Sequence, residues 1–257
     1  MSYVVCIPSY NRATLCNEKT LKMLKDNKIP KRNIYVYVAS QEEYDSYKAA
    51  LSPAFYNNLV VGVKGLIQQR QFITEQWPEG KNIVFFDDDV ASVDLSMSDI
   101  FKGQSLDFFF REAFKETKKR KSYIWGVYPV FNPFFRKARQ EITTCLTYIV
   151  GAFYGVINRP KLRSIELTLF DKDSSKEDVL RSILYFVQDG IVVRFNRIGF
   201  ITKYYGKRGG LGTFQERLIP MRVASEKLKE AFPNYGDIVV KKTGMTEFKL
   251  KKICSKN

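Results

Sequence analysis

Apolar positions along the first third of the chain fall into two alternating patterns. Unbroken apolar runs at 4–7, 34–39, 59–61 and 83–86 read as buried strands. Between them, residues 14–25, 42–51 and 65–80 space their apolar side chains at helical intervals, with Leu15, Leu21 and Leu24 in the first and Ile67, Phe72 and Ile73 in the last. Pro8, Pro30, Pro53 and Trp77-Pro78-Glu79-Gly80 punctuate the ends. Strands alternating with helices in this way predict an α/β fold: a doubly wound, mostly parallel sheet with helices on both faces. Ligands of such sheets bind beyond the carboxyl ends of the strands. Residues 8–12, 39–43 and 87–89 all fall there.

Past residue 90 the pattern loosens. Residues 106–121 read as a helix with a basic end, 123–130 as a strand, and 147–157 as an apolar run containing Gly151 and Gly155. A helix over 176–187, strands over 190–195 and 198–203, a glycine-rich basic loop over 204–212 and a short helix over 225–232 precede a Lys-rich tail. No internal repeat or low-complexity linker interrupts the 257 residues, so one domain is expected over 1–257.

Hydrophobic residues make up 45% of the chain, enough for a full core and too many for global disorder. No apolar run reaches the ~18 residues that a membrane span needs, and the first seven residues lack the basic start of a signal peptide. Cys6, Cys16, Cys145 and Cys254 are far apart and show no CxxC spacing, which predicts a reduced, cytoplasmic protein without a zinc site. The chain has no histidine, so any acid–base chemistry falls to carboxylates, Lys, Tyr or a metal. Net charge is +15, from 42 Lys and Arg against 27 Asp and Glu. That field suits a polyanionic partner, but an ordinary basic surface explains it equally well.

The sharpest chemical signal is Phe86-Asp87-Asp88-Asp89-Val90. Three adjacent carboxylates behind an apolar strand repel one another and resist desolvation. Mg2+ or Mn2+ relieves both effects and leaves coordination positions for phosphate. On extended backbone Asp87 and Asp89 point one way and Asp88 the other, which suits a metal clamp on a diphosphate. The plainer alternative is a solvated acidic turn. Pro8, Ser9, Tyr10, Asn11 and Arg12 break a strand into a polar loop where Tyr10 can stack on a base and Arg12 can meet a phosphate; a capped strand-to-helix turn reads equally well. Gln69 and Arg70 either reach the same ligand from the helix after Gly65 or form a solvated face. Ser174-Ser175-Lys176-Glu177-Asp178 is a routine helix start, or it supplies Asp178 as a general base. Lys207 and Arg208 suit a loop that closes on phosphate, or a plain surface loop. Residues 131–139 interleave aromatics with Arg136, Lys137 and Arg139, a pattern that fits stacking against a nucleic acid strand as well as it fits core and rim.

Taken together, these motifs resemble the GT-A glycosyltransferases over roughly residues 3–212. The resemblance makes 8–12 the nucleotide-facing loop, Asp87 to Asp89 the DxD motif, and Glu177-Asp178 the catalytic xED pair of inverting members. It implies Mn2+ or Mg2+ on Asp87 and Asp89, a nucleotide sugar donor such as a UDP-sugar, a smaller antiparallel acceptor-side region, and inversion at the anomeric carbon. It also divides the chain into a nucleotide-binding half (1–90), an acceptor-binding and catalytic half (91–215) and a C-terminal extension (216–257). Adding Gln69-Arg70-Gln71, Tyr128-Pro129-Val130, residues 193–197 and Gly209-Gly210, the set looks like the TET/JBP-associated glycosyltransferases, many from phages. That narrower resemblance implies double-stranded DNA carrying hydroxymethylated pyrimidines as acceptor, in the cytoplasm of a host cell. Many GT-A enzymes add a C-terminal histidine ligand, which this chain lacks. Three other readings stay open: a GT-A enzyme acting on glycan, lipid or protein; a nucleotidyltransferase, although the loop over 9–17 has no glycine; and a non-catalytic nucleic-acid-binding protein.

Overall fold

The computed structural model describes residues 2–162, 169–170, 175–202 and 213–254. An eight-stranded sheet forms its centre. The first half alternates β1 (Val4–Pro8), α1 (Ala13–Cys16), a π turn (Asn17–Leu21), α2 (Lys22–Asp26), β2 (Ile34–Val38), α3 (Gln41–Ala50), β3 (Asn58–Val61), α4 (Leu66–Glu75) and β4 (Asn82–Phe86). These four strands are mutually parallel, as the alternation predicts. The second half adds β5 (Ser92–Asp94), α5 (Leu106–Lys119), β6 (Ile124–Val127), α6 (Pro133–Lys137), β7 (Ile142–Thr143), β8 (Phe153–Ile157), α7 (Glu177–Asp189), β9 (Val193–Phe195) and β10 (Gly199–Ile201). The sheet order is β3-β2-β1-β4-β8-β6-β9-β7, with β8 antiparallel to both β4 and β6. A parallel half thus continues into a mixed half, the arrangement expected of the fold class.

The central strands read as continuous apolar runs because helices cover both faces. Along β1, Val5 and Ile7 enter one core cluster, and Val4 and Cys6 enter the other. Along β4, Val84 and Phe86 face the first cluster, and Ile83 and Phe85 the second. Helix ends follow ordinary chemistry: Ser40 and Ser105 accept from the backbone at Glu43 and Phe108, and Gly190 closes α7 in the left-handed conformation.

Several local expectations are corrected. The short helix expected at 225–232 is an 18-residue helix, α8 (Phe214–Ala231), opened by a Thr213–Glu216 capping box, with Pro220 inside it, where the bond an amide would make to the Glu216 carbonyl is forgone. The Lys-rich tail is a hairpin of β11 (Gly236–Val240) and β12 (Thr246–Leu250). The cysteines are not all reduced: Cys145 and Cys254 form a disulfide, and Cys6 and Cys16 remain as buried thiols. A separation of 109 residues hides the pairing, which arises only when the tail folds back and Leu146 N–H donates to the Ile253 carbonyl at 2.7 Å. The cysteine pattern therefore no longer argues for a reducing compartment. Among the described residues no helix is long and apolar enough to cross a membrane.

Close packing in the mixed half is set by Gly155 on β8. A Cβ there would lie 2.2 Å from Trp125 Cε2, and that indole is held edge-on by Phe109, Phe114 and Phe153. Gly155→Ala is expected to destabilise the protein by ~1–3 kcal/mol. A urea denaturation midpoint equal to that of the parent chain would refute this packing.

Candidate active site

The loops at the carboxyl ends of β1 and β4, the segment before β8 and the first turn of α7 converge on one cavity of about 1230 Å3. That exceeds the usual ~300–1,000 Å3 of a small-molecule pocket, leaving room for two ligands side by side. Its lining includes Pro8, Ser9, Tyr10, Arg12, Gln69, Arg70, Asp87, Asp88, Asp89, Glu177 and Asp178. Residues of β12 and the following tail, with both disulfide cysteines, complete one wall. Asn11, expected to face a nucleotide, does not line this cavity. It turns into the left-handed region at φ 54° and donates its backbone N–H to Glu43 at 2.7 Å, lining a separate recess beside α3. Lys207 and Arg208 lie outside the described residues.

The acidic triplet sits on a turn, not on the extended segment expected of it, because the chain leaves the sheet after Phe86. Asp87 N–H still bonds the Ala152 carbonyl at 2.9 Å, and Thr20 holds the turn through the carbonyl of Asp87. The three side chains consequently diverge. Asp87 keeps 37% of its side chain open and meets Arg70 at 3.0 Å. Asp88 is buried and accepts from Ser9 at 2.6 Å and from Arg12 at 3.1 Å. Asp89 accepts from Arg12 at 3.2 Å and from Thr202. Loss of water pushes the Asp87 carboxyl up to about 7, with Arg70 opposing and its two acidic neighbours adding. Burial likewise pushes Asp88 up to about 6 against the pull of Arg12 and Ser9.

Arg12 therefore bridges carboxylates in this state; it does not stand free for a phosphate. Gln69 spends its amide on the Val38 carbonyl at 3.0 Å and the Val63 N–H at 2.9 Å, fixing two loops of the parallel half. Tyr10 is 36% exposed, with the Lys64 ammonium 5.8 Å from its ring centre.

Glu177 and Arg70 are corrected more strongly. Both are almost fully buried, and they pair with each other. Glu177 also holds Arg181, one helical turn on, at 2.5 Å. Arg70 reaches the Gly151 carbonyl at 2.8 Å as well as Asp87. Burial works against the charge on Arg70, but Glu177, Tyr154 and Asp87 outweigh it, and its pKa is raised. Glu177 is thus a counter-ion and not a free acid–base group. Asp178 differs: one oxygen accepts from the Val179 N–H in the first turn of its own helix, 2.9 Å away, and the other accepts from Tyr148 and, at 3.4 Å, from Gly151 N–H. Tyr148, Gly151 and Thr202 were not anticipated from sequence. Arg181 was readable, since it stands four residues after Glu177 on a helix.

The donor set suits a hard divalent cation in part. Asp87 and Asp89 offer carboxylate oxygens at the cavity wall, but among the described residues no group of three or more His, Cys, Asp or Glu is arranged to hold a metal alone. Further ligands would have to come from water and from a bound diphosphate.

No family model matches the chain, and no curated protein matches it in sequence. Solved structures do. A mannosyltransferase from Pyrobaculum calidifontis, in complex with GDP-Man and Mn2+, matches 90% of this chain and 64% of that one at 16% identity and a TM-score of 0.55. Glucosyl-3-phosphoglycerate synthase from Mycobacterium tuberculosis, in complex with phosphoglyceric acid, matches 92% of this chain and 83% of that one at 10% identity and a TM-score of 0.54. The same synthase with Mn2+, UDP and glucosyl-3-phosphoglycerate gives 0.50 over 97% and 87%. At such identities the likeness carries the fold alone, and the fold is that of the GT-A glycosyltransferases. The chain spans less than two thirds of several matched proteins, including the mannosyltransferase at 64% and the Staphylococcus aureus TarS chain at 66%.

The buried ion network makes a testable demand. Glu177→Ala leaves Arg70 and Arg181 as buried cations short of a partner, and is expected to destabilise the protein by ~3–5 kcal/mol. Chemical denaturation reads this directly; a loss below 1 kcal/mol would place Glu177 among ordinary surface pairs.

Proposed function

We propose that this protein is a glycosyltransferase that moves a sugar from a nucleotide sugar, a UDP-sugar, to an acceptor hydroxyl with inversion. The observation that carries the reading is the meeting of the Asp87 to Asp89 turn and Asp178 in one cavity at the carboxyl edge of a GT-A sheet. The mannosyltransferase solved with GDP-Man and Mn2+ and the synthase solved with UDP and Mn2+ support the same donor and metal class.

Under this reading Pro8, Ser9 and Tyr10 take the nucleoside at the end of β1. Asp87 and Asp89 would hold Mn2+ or Mg2+, whose chemistry is to neutralise the leaving diphosphate. Binding there asks Arg12 to release part of its hold on Asp89. Asp178 accepts the proton of the acceptor hydroxyl as its oxygen bonds to the anomeric carbon and the bond to the diphosphate breaks. Tyr148 and Gly151 N–H orient that carboxylate. Arg70 and Glu177 hold the two acidic segments together without touching the reacting atoms.

The acceptor under this proposal is 5-hydroxymethylpyrimidine in double-stranded DNA. The net charge of +15 and the exposed Phe134 and Phe135 beside Lys137 and Arg139 support it. Phosphate contacts then supply affinity, and the modified base is presented by extrusion from the stack.

With Mn2+ and a panel of nucleotide sugars, the parent chain is expected to hydrolyse one donor slowly. Asp89→Ala and Asp178→Asn should each lower transfer by about a hundredfold or more. Undiminished turnover in either variant sinks the role given to that residue. Binding to hydroxymethylated duplex should weaken by about a thousandfold between ~50 and ~200 mM salt. A gel shift that is absent, or indifferent to salt, removes DNA as acceptor.

A further inference from the structure

The three arginines buried among the described residues are matched by carboxylates: Arg70 and Arg181 by Glu177, and Arg136 by Asp94. Half-buried Arg194 is not. It extends from β9 to the cavity wall, where its Nε donates to Asn196 at 2.7 Å and one Nη to the Tyr148 carbonyl at 3.2 Å. Both partners are neutral, and among the described residues no carboxylate pairs with it. Arg139, just after α6, lines the same cavity and is also without a carboxylate; its Nε donates to the Phe135 carbonyl at 2.8 Å.

The two guanidinium groups share one aromatic ring. Their central carbons lie 4.5 Å (Arg139) and 5.2 Å (Arg194) from the centre of the Tyr128 ring. A tyrosine face compensates a cation only weakly. Loss of water lowers the Arg194 pKa to about 10, with Tyr128 opposing and the charge of Arg139 adding to the fall. The nearby carboxylate Glu141 is engaged by Ser98 and Arg197. A pair of like charges at a cavity wall, with planar donor groups left over, is the arrangement an oxyanion relieves.

We propose that Arg139 and Arg194 form a phosphate-binding subsite in the wall of this cavity. Tyr148 connects it to the candidate base: its carbonyl accepts from Arg194 while its hydroxyl donates to Asp178. A phosphate held there is therefore about one tyrosine residue from the proton acceptor, the place for an acceptor molecule carrying both a hydroxyl and a phosphate. Assigning the anion to the acceptor rests on the transferase reading above; the cation pair does not. The phosphate has two chemical sources, a diester in a nucleic acid strand or a monoester on a small hydroxylated acceptor.

Calorimetric titration of the full chain without donor separates these outcomes, using inorganic phosphate, glycerol phosphate and a dinucleotide as probes. The parent chain is expected to bind glycerol phosphate or the dinucleotide, and Arg139→Gln and Arg194→Gln to weaken that binding by about tenfold each. Preference for the dinucleotide assigns the site to a strand; preference for glycerol phosphate assigns it to a small acceptor. Because Arg139 is exposed, its variant decides the matter even where Arg194→Gln fails to fold. Equal binding by parent and Arg139→Gln, binding of inorganic phosphate alone, or no binding by the parent overturns the subsite. None of these results bears on Mn2+-dependent donor hydrolysis, so failure here leaves the transferase reading to its own test.

Discussion

A guanidinium stripped of water has to be neutralised where it lies, and the site is built around one that is. Arg70 leaves α4 and meets Asp87 at the end of β4, the Gly151 carbonyl before β8, and Glu177 at the start of α7. Three segments distant in sequence are thereby fixed to one planar group. Glu177 passes its second oxygen to Arg181, and both arginines lie over the ring of Tyr154, at 5.6 and 3.9 Å. Such a network is cooperative: each member is tolerable only with the others in place. Asp178 owes its position to this arrangement, since it follows Glu177 on the same turn. Gly151 is confined by it too, because a Cβ there would stand 2.9 Å from Glu177 Oε1.

The legibility of these parts in the sequence follows from their environments. Strands β1, β2 and β4 were readable because a strand covered on both faces has to be largely apolar, and the half-exposed edge strand β3 because Leu59, Val60 and Val61 still form an apolar run. The insertion of β8 between β4 and β6 was not, because strand order is a matter of long-range pairing. The hairpin β11–β12 escaped notice because its short apolar run Ile238-Val239-Val240 is exposed and is followed by the lysines at 241, 242, 249, 251 and 252, which read as a charged tail. Asp87 to Asp89 stood out as carboxylates behind an apolar strand, whereas Asp178 also read as part of a routine helix start. Arg70 and Glu177 were readable as site residues but not in their true roles. Burial decides those, and a Gln-Gln-Arg-Gln run looks like a solvated face until the fold covers it.

The fate of the positive charge divides along the same line. The deeply buried arginines are consumed by internal carboxylates and contribute nothing to an outside partner. Among the described residues, Lys64, Arg139, Arg194, Lys249, Lys251 and Lys252 line the cavity and belong to the excess behind the +15.

The two sides of the sheet meet along β4, which pairs with β1 in parallel and with β8 antiparallel. All five of its residues are buried. An excised amino-terminal third would therefore carry a bare strand at its border, apolar in four of its five residues, a template for sticking to its own copies. Modular reuse of the nucleotide-facing part, whether by gene fusion or by engineering, would require a substitute for β8 as well as a seat for the ligand.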